Sequence, residues 1–447
     1  MSDSFIKQIS EKLIEKNHID REFYSKYAVK RGLRNEDGSG VLVGLTQISQ
    51  VIGFKKIDED VVPVDGELYY RGIHIRDLVN GFQKEKRHGF PEVTYLLLFG
   101  DLPTAAELEE FSSYAIDQYR LPEGFPENSI LQFPSPNIMN KLARSILVLY
   151  STDPNPDDIS IPNVLRQSIS LISKVGPIVA YAYQAMRHKY YGESLVVHPY
   201  NENLCCAENF LAMLRPDKKY TPLEADLLDL ALVLHAEHGG GNNSSFTTHV
   251  VTSSHTDTYS AISAAIGSLK GPLHGAANAK VMDMMKNIKE NVKDWKDEEE
   301  VKAYLTKILK KEAYDGEGLI YGMGHAVYTK SDPRAVILKE KAKELAEEKG
   351  RLDEYNLYIT IEKYGPQLFR EVKGSNKIIA PNVDFYSGFV YDLLGFPREI
   401  YTPIFAMARI VGWCAHRIEE LMNGGRIIRP AYKYVGLNRD YVPMKDR

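Results

Sequence analysis

Apolar residues along most of the chain recur at the three- and four-residue spacing of an amphipathic α-helix. The first stripe of this kind consists of Phe5, Ile6, Ile9, Leu13 and Ile14. Between Leu227 and Leu234 the apolar residues surround the helix almost completely, and such a helix is expected to lie in the protein interior. The pattern therefore predicts a mostly helical protein with at least one deeply buried helix.

Two short segments, Gly40–Ile48 and Glu67–Tyr70, are bounded by glycine or turn residues and are expected to be β-strands. Strands and helices do not alternate along the chain as they do in proteins with a parallel sheet. The longest apolar runs are far shorter than the ~20 residues that cross a bilayer. We predict an all-α fold without a membrane-spanning segment.

Charged residues are concentrated in one part of the chain. Met285–Glu312 is crowded with Lys, Asp and Glu, and Leu338–Gly350 repeats this composition between segments that carry much less charge. We interpret this part as a smaller, better solvated domain inserted into the chain. The alternative is an exposed helical layer of one large domain.

The chain has 447 residues, and 55 Lys and Arg against 60 Asp and Glu give a net charge of −5. Interspersed charges make nucleic acids and acidic membranes poor candidates as partners. The three cysteines, Cys205, Cys206 and Cys414, are too few for a disulfide framework and favour a reducing compartment. Residues 1–16 intersperse charged and apolar positions and lack the apolar core of a signal peptide. We expect a cytoplasmic protein.

The apolar helix ends in His235-Ala236-Glu237-His238, which three glycines follow at 239–241. The helix is expected to deliver His238 to a glycine-lined pocket. A metal bound by His235 and His238 is one alternative, but the His-Glu-x-x-His spacing is absent and glycines supply no ligand side chain. A buried structural histidine is the other alternative.

A second histidine, His274, lies in the turn Gly271–Asn278, which opens a helix of small residues. The positive end of a helix dipole disfavours imidazolium, so a neutral ring there could donate an N–H to a developing oxyanion. The small neighbours leave room for a bulky ligand. The alternative is a glycine-rich turn that serves only tight packing.

A third histidine, His325, follows Gly322-Met323-Gly324 and precedes Asp332-Pro333-Arg334. Asp332 is a good N-cap and Pro333 a good first helical residue. Arg334 in the first helical turn opposes the helix dipole, and an anionic ligand would explain it. A packed histidine and a surface ion pair are the alternatives.

Further candidate groups lie near the C-terminus. Asp384 is placed in a mainly apolar loop, where burial would raise its pKa above ~3.9 and make it a stronger base. The alternative is a capping aspartate. Arg409 and Arg429 stand among apolar residues and need counter-anions if they are buried. Structural salt bridges would also meet that need.

Taken together and in this order, these segments resemble the citrate synthases, a family that includes 2-methylcitrate synthases. The matching motifs are His235-Ala236-Glu237-His238 with its glycines, Gly271-Pro272-Leu273-His274-Gly275, Gly322-Met323-Gly324-His325 with Asp332-Pro333-Arg334, Asn382-Val383-Asp384-Phe385-Tyr386-Ser387-Gly388, Ala408-Arg409 before Gly412-Trp413, and Arg429-Pro430. With Tyr70–Ile73 and Val93–Pro103, the resemblance extends from about Tyr70 to Gly436.

The resemblance implies an acyltransferase of the tricarboxylic acid cycle that condenses acetyl-CoA with oxaloacetate and hydrolyses citryl-CoA to citrate and CoA. It implies no metal and no cofactor, because acetyl-CoA is a substrate. By matching position, His274 resembles the enol-stabilising histidine, Asp384 the base on the acetyl methyl group, and His325 the donor to the ketone of oxaloacetate. A carboxylate alone is too weak for this step, so a positioned donor must stabilise the enolate in a dry site.

The resemblance also implies ligands for both substrates and a homodimer. The residues matched to oxaloacetate ligands are His238, Arg334, Arg409 and, from the other subunit, Arg429. The residues matched to CoA are Gly322 and Gly324 along the adenine and Lys330 and Lys377 toward the phosphates. Many relatives have arginine where this chain has Ala326, which leaves the phosphate contacts open.

The implied architecture is a two-domain helical fold with the active site in the cleft. The large domain, residues 1–275 and 382–447, would carry the dimer contacts and the oxaloacetate site. The small domain, residues 276–381, would carry the CoA side and close over oxaloacetate before acetyl-CoA binds.

Three alternatives remain open. A 2-methylcitrate synthase would use propionyl-CoA, and one methylene in an apolar pocket changes preference by only ~1–3 kcal/mol. A metal hydrolase would be built on His235 and His238 and would lose activity to chelators. A non-catalytic helical scaffold would be indifferent to His274→Ala.

Overall fold

The computed structural model of the chain describes residues 3–35, 39–57, 60–275, 277–423 and 425–447. The chain divides into two compact units, one of Met1–Leu45 with Ile428–Arg447 and one of Thr46–Ile427. The first unit contains α1 (Asp3–Lys16), α2 (Glu22–Lys26) and two 3₁₀ turns, Arg31–Leu33 and Met444–Asp446. The predicted N-terminal helix is therefore present, and its apolar stripe is exposed.

The second unit is built almost entirely of helices. They are α3 (Ile75–Lys84), α4 (Phe90–Phe99), α5 (Ala105–Asp117), α6 (Ile138–Tyr150), α7 (Ile161–Tyr191), α8 (Cys206–Leu214), α9 (Pro222–His235), α10 (Asn243–Thr252), α11 (Thr258–Lys270), α12 (Ala277–Asn291), α13 (Glu298–Leu309), α14 (Pro333–Glu348), α15 (Leu352–Lys373), α16 (Val383–Leu393) and α17 (Tyr401–Met422), with a π-helical segment Pro126–Leu131 and a 3₁₀ turn Arg398–Ile400. The predicted all-α class is confirmed.

One small antiparallel sheet accompanies the helices, in the order β1 (Ser49–Ile57), β2 (Asp60–Tyr70) and β3 (Ile73–His74). The predicted strand Glu67–Tyr70 is the end of β2. The predicted strand Gly40–Ile48 is wrong, because the ladder of β1 and β2 begins at the pair Ser49 and Tyr70. Among the described residues, those from Gly40 to Ile48 show strand pairing with another segment only at an isolated bridge from Gly40 to Arg34.

The core of the second unit surrounds α9 and α17. A capping box starts α9: the Thr221 side chain accepts from the Glu224 N–H, and the Glu224 carboxylate accepts from the Thr221 N–H. Every position from Leu227 to Leu234 is buried, as the all-round apolar pattern predicted. Helix α17 packs against α4, α7, α9, α10 and α11, so the residues it carries are held from several sides.

The predicted small domain contains α12–α15, including the charged helices. Its first residue, Ala276, lies outside the described residues, and its boundaries at 276 and 381 stay a prediction. Among the described helices, none is both long enough and apolar enough to cross a membrane.

Candidate active site

The loop that follows α9 places the ring of His238 against two rings from the segment before α14. The ring centroid of His238 lies 5.1 Å from that of His325 and 5.3 Å from that of Tyr328, edge-on in both cases. Burial lowers the pKa of His238 well below its ordinary value, and the charge of Arg334 lowers it further. Its Nε2 is buried and has no hydrogen-bond partner in the described part of the chain. His238 is therefore a neutral imidazole with a nitrogen available to a ligand.

The protonated nitrogen of His325 is fixed by backbone groups. Nδ1 accepts hydrogen bonds from the N–H of Val327 at 3.0 Å and the N–H of Tyr328 at 3.1 Å. Because a backbone N–H can only donate, Nδ1 carries no proton and the ring is the neutral tautomer with its proton on Nε2. The ring also stacks on Tyr328 with a centroid separation of 4.9 Å. His325 thus presents an N–H donor in a fixed direction.

His274 is held as the opposite tautomer. Its Nε2 accepts from the backbone N–H of Ser244 at 3.3 Å and lies 3.0 Å from the Ser244 hydroxyl, to which Trp413 Nε1 also donates at 3.1 Å. The proton of the ring is therefore on Nδ1. Burial lowers the pKa of His274 to about 4, and Arg409 contributes to the shift. Burial and the charge of Arg409 therefore favour the neutral ring that the sequence analysis expected at His274.

Asp384 is the second residue of α16, not a loop residue as the sequence suggested. The cap of this helix is Asn382, whose side chain accepts from the Asp384 N–H at 3.0 Å. Burial raises the pKa of Asp384 to about 6, and Arg334 and Arg409 partly oppose this. Asp384 is therefore a stronger base than a surface aspartate and is still ionised at neutral pH.

Arg334 has a counter-ion within its own segment. Nε and Nη2 donate to the two carboxylate oxygens of Asp332 at 3.0 and 2.8 Å, and both side chains are buried. Asp332 also caps α14 by accepting from the Arg334 N–H at 3.0 Å and accepts from the Val383 N–H of α16 at 3.0 Å. The charge of Arg334 thus has a structural reason, and its Nη1 is not part of this pair.

Arg409 forms no such ion pair with any described residue. It is 2% exposed, its Nε donates to the carbonyl of His235 at 2.7 Å, and its guanidinium lies 4.7 Å from the ring centre of Phe405. Nη2 is buried without a hydrogen-bond partner in the described part of the chain. Burial lowers the pKa of Arg409 to about 10, and nearby Glu237 acts in the other direction. A buried cation with an unused donor is suited to an anionic ligand.

The remaining predicted site residues are three exposed cations and two glycines. Arg429 is an exposed residue of the first unit. Lys330 and Lys377 are exposed residues of the second unit. Gly322 has φ +79° and Gly324 φ +91°, and a Cβ on Gly322 would lie 2.9 Å from Phe385 atoms, so backbone conformation and packing already require glycine at 322.

The β1–β2 pair is a supporting element that the sequence analysis missed. A Cβ on Gly53 would lie 2.2 Å from the carbonyl oxygen of Val327, and one on Gly66 would lie 2.2 Å from that of Ser331. The Gly66 N–H also donates to the Ser331 hydroxyl at 3.1 Å. The two strands therefore pack directly on the segment between His325 and Arg334. The only sequence signal was a glycine inside each strand, which can mark a close backbone approach.

The metal alternative has little support at His235. Its Nδ1 lies 2.7 Å from the carbonyl of Ala231, and burial lowers its pKa to about 3. Within the described residues, the one group of three with metal-ligand atoms close together is His88, Cys205 and Glu208, which includes neither His235 nor His238. His235 is the buried structural histidine that the sequence analysis kept as an alternative.

The arrangement combines two buried guanidinium groups, three neutral imidazoles and a carboxylate of raised basicity within one unit. The family model "Citrate synthase, C-terminal domain" matches residues 37–431. The chain belongs to the citrate synthase family. The predicted family and its acyltransferase class are confirmed, and the match begins before the Tyr70 inferred from motifs.

Individual members of the citrate synthase family agree with this assignment. The chain is 36% identical over 414 residues to the citrate synthase of Synechocystis sp., covering 92% of this chain and 93% of that one. It is 32% identical to 2-methylcitrate synthase 1 of Corynebacterium glutamicum, covering 94% and 98% of the two chains. The ternary complex of Thermoplasma acidophilum citrate synthase with carboxymethyl coenzyme A and oxaloacetate superposes with a TM-score of 0.75 at 28% identity, covering 94% and 99%.

Proposed function

We propose that the chain joins the methyl carbon of acetyl-CoA to the ketone carbon of oxaloacetate and hydrolyses the citryl thioester to citrate and CoA. One observation carries this proposal: Asp384 lies close enough to Arg334 and Arg409 for the charges of both to act on its pKa. A base of raised pKa beside two buried cations suits a reaction between an acidic methyl group and a dicarboxylate. Only side chains, the two substrates and one water molecule take part, with no metal or further cofactor.

In the first step Asp384 takes a proton from the acetyl methyl group. The negative charge moves to the thioester oxygen, where the Nδ1–H of His274 stabilises it as an enol or enolate. Both the tautomer and the neutrality of His274 support this role, because a neutral imidazole that already carries its proton on Nδ1 needs no change of protonation to donate it.

In the second step the enol carbon attacks the ketone carbon of oxaloacetate. The ketone oxygen takes up the negative charge, and the Nε2–H of His325 donates to it. Arg409 and Arg334, with His238, bind the carboxylates and hold the ketone in place. Water then cleaves the thioester, and the sulfur leaves as the CoA thiol.

The finer features of the enzyme are also proposals. We place the small domain at residues 276–381, closing over bound oxaloacetate before acetyl-CoA binds. Gly322 and Gly324 would line the adenine, and Lys330 and Lys377 would face the CoA phosphates; the exposure of both lysines is compatible with this. Arg429 would reach the site of the other subunit in a homodimer. The three free cysteines suit a cytoplasmic location.

The test is the release of free CoA thiol from acetyl-CoA, with and without oxaloacetate, and with propionyl-CoA in parallel. We expect oxaloacetate-dependent release that is faster with acetyl-CoA, since the chain is 36% identical to a citrate synthase and 32% identical to a 2-methylcitrate synthase. Faster release with propionyl-CoA would favour 2-methylcitrate synthase instead. Release that does not depend on oxaloacetate would contradict the proposed reaction.

Domain closure has a separate test. Limited proteolysis should cut residues 276–381 more slowly once oxaloacetate is saturating, because closure removes the cleft from solvent. Acetyl-CoA alone should give no such protection. Equal cleavage with and without oxaloacetate would contradict the proposed binding order.

A further inference from the structure

Helix α17 binds the backbone of the residues that precede His238 in the sequence. The Nε of Arg409 donates to the carbonyl of His235 at 2.7 Å, and the N–H of Gly412 donates to the carbonyl of Ala236 at 3.2 Å. A Cβ on Gly412 would lie 2.6 Å from the Ala236 oxygen, so this contact requires glycine. The loop that carries His238 is thus hydrogen-bonded to α17 from its first residue, Ala236.

The sheet holds the backbone on both sides of His238. The hydroxyl of Tyr70 lies 3.0 Å from the carbonyl oxygen of Glu237 and accepts from its N–H at 3.2 Å. The hydroxyl of Ser49 accepts from the Gly239 N–H at 3.0 Å and donates to the Glu237 carboxylate at 3.0 Å. The Glu237 side chain therefore acts, through Ser49, on the residue that follows His238.

The carboxylate of Glu237 turns into the core and meets α17. Its Oε1 lies 3.0 Å from Nε2 of His416, and both side chains are 0% exposed. Its Oε2 has no hydrogen-bond partner in the described part of the chain, and a Cβ on Gly412 would lie 2.1 Å from it. An unpaired buried carboxylate is costly, so the charge of Glu237 depends on His416.

The contacts continue from His416 to the last turn of α17. Nδ1 of His416 lies 3.2 Å from Nε2 of His249, and Nδ1 of His249 lies 2.8 Å from the carboxylate of Glu420. Protons can be assigned along this chain without conflict. An imidazolium at His416 donates to both Glu237 and His249, while a neutral His249 donates to Glu420. Glu419 adds a second carboxylate 3.8 Å from His416 Nδ1.

We propose that Glu237 and His416 form a buried ion pair that positions His238 for oxaloacetate, with His249 and Glu420 as its outer partners. Neither residue of the pair touches the substrate; both act through the loop that carries His238. The inference rests on the proposed function for the identity of the ligand. It assigns a role to groups that the proposed chemistry leaves unused.

The charges of the pair support the same inference. Burial lowers the pKa of His416, but Glu237 more than offsets this and the result is about 9. Burial raises the pKa of Glu237, yet His416 and Arg409 bring it to about 2. Both groups are therefore charged at neutral pH. While His416 neutralises Glu237, Arg409 keeps its unused donor for a substrate carboxylate; without His416, Glu237 would compete for it.

The first test replaces His416 by glutamine, which keeps a hydrogen-bonding side chain and removes the charge. We expect the KM and the calorimetric Kd for oxaloacetate to rise about tenfold or more, as for the loss of one charged hydrogen bond. The KM for acetyl-CoA should change less than about twofold, because the loop binds oxaloacetate only. Cys414→Ala, also buried in α17, is the control for packing and should leave both KM values unchanged.

The second test is a double-mutant cycle. Glu237→Gln with His416→Gln should bind oxaloacetate more tightly than His416→Gln alone, because no buried charge is left unpaired. If His416→Gln does not fold, Ser49→Ala removes the hydroxyl that bridges Glu237 and Gly239 but leaves the Glu237–His416 pair in place, and it should still raise the KM for oxaloacetate roughly threefold. Simple additivity of the two substitutions would overturn the proposal, as would unchanged KM and Kd in His416→Gln.

A pH profile separates positioning from a general loss of stability. The groups that face His416 are Glu237 from the loop after α9, His249 from α10 and Glu419 from its own helix, and Glu420 faces His249. Oxaloacetate affinity should begin to fall near pH 9 in the wild type, where His416 loses its proton. In the double variant it should stay level at that pH and fall only where Arg409, with a pKa of about 10, loses its own proton. Identical profiles would overturn the proposal. Because calorimetry measures binding without turnover, an inactive wild type that binds oxaloacetate would contradict the proposed function alone.

Discussion

The ring of His238 stands edge-on to the ring of His325, with centroids 5.1 Å apart and planes at 82°. These two residues come from segments far apart in sequence, the loop after α9 and the loop before α14. Two imidazolium ions at this distance would repel, and the neutral state of both rings removes this conflict. The pair therefore offers two neutral hydrogen-bonding groups to one small ligand, which suits an oxygen-rich substrate such as oxaloacetate.

We predict that His274→Ala lowers kcat by about 10²–10³, the usual loss for one donor to a developing oxyanion. The KM for oxaloacetate should change little, because His274 is proposed to act on the thioester. Steady-state kinetics with each substrate varied in turn would measure both effects. His188→Ala, an exposed histidine of α7, is the control and should be fully active. Wild-type turnover in His274→Ala would contradict its catalytic role.

The raised pKa of Asp384 predicts that the pH profile of kcat/KM has a limb on the acid side. The base form is required, so kcat/KM should fall about tenfold per pH unit as the pH drops below about 6. An ordinary aspartate would place this limb near ~3.9. His274, with a pKa of about 4, stays neutral throughout this range and cannot cause the limb.

The control for this limb lies on the same helix. Asp392 pairs with Arg351 at the other end of α16, so Asp392→Asn should keep the acid limb while Asp384→Asn abolishes most turnover. A wild-type profile of kcat/KM that stays flat between pH 5 and 7 would show that Asp384 is not the base.

Two buried arginines of α17 provide a matched pair for the anion site. Arg409 has an unpartnered Nη2, whereas Arg417 donates to the hydroxyls of Thr258 and Thr252 and to the carbonyl of Thr256. Arg409→Lys should raise the KM for oxaloacetate by about 10–100-fold, since an ammonium cannot reproduce the planar fork. Arg417→Lys should lower Tm and leave that KM unchanged. An equal rise of KM in both variants would contradict a specific ligand role for Arg409.

Sequence motifs pointed to the histidines of the candidate site, but not to what orients them. The motifs pointed to His274 and His325, yet each tautomer is set by backbone N–H groups, from Ser244 for His274 and from Val327 and Tyr328 for His325. A backbone donor has no residue signature, because every non-proline residue carries one. Orientation of this kind can be known only once the fold places the loop beside the ring.

The misplaced predictions have physical reasons of their own. Asp384 was expected in a loop because its neighbours are apolar, but Asn382 caps a helix and the apolar residues are its buried face. The charge of Arg334 in the first helical turn was taken as a sign of an anionic ligand, but Asp332 two residues earlier already supplies a counter-charge, and the role of Arg334 as an oxaloacetate ligand stays a prediction. In both cases a short polar residue just before the helix decided the local structure.

The proposed homodimer makes a prediction that a monomeric enzyme could not satisfy. His274→Ala and Arg429→Ala should each be nearly inactive, because one lacks a donor and the other a ligand for its partner's site. When the two variants are unfolded, mixed in equal amounts and refolded, random pairing restores one intact site in each mixed dimer, and about a quarter of wild-type activity should return. Either variant refolded alone should stay inactive, which controls for recovery by refolding itself. If no activity returned although mixed dimers formed, Arg429 would not be acting across the subunit interface.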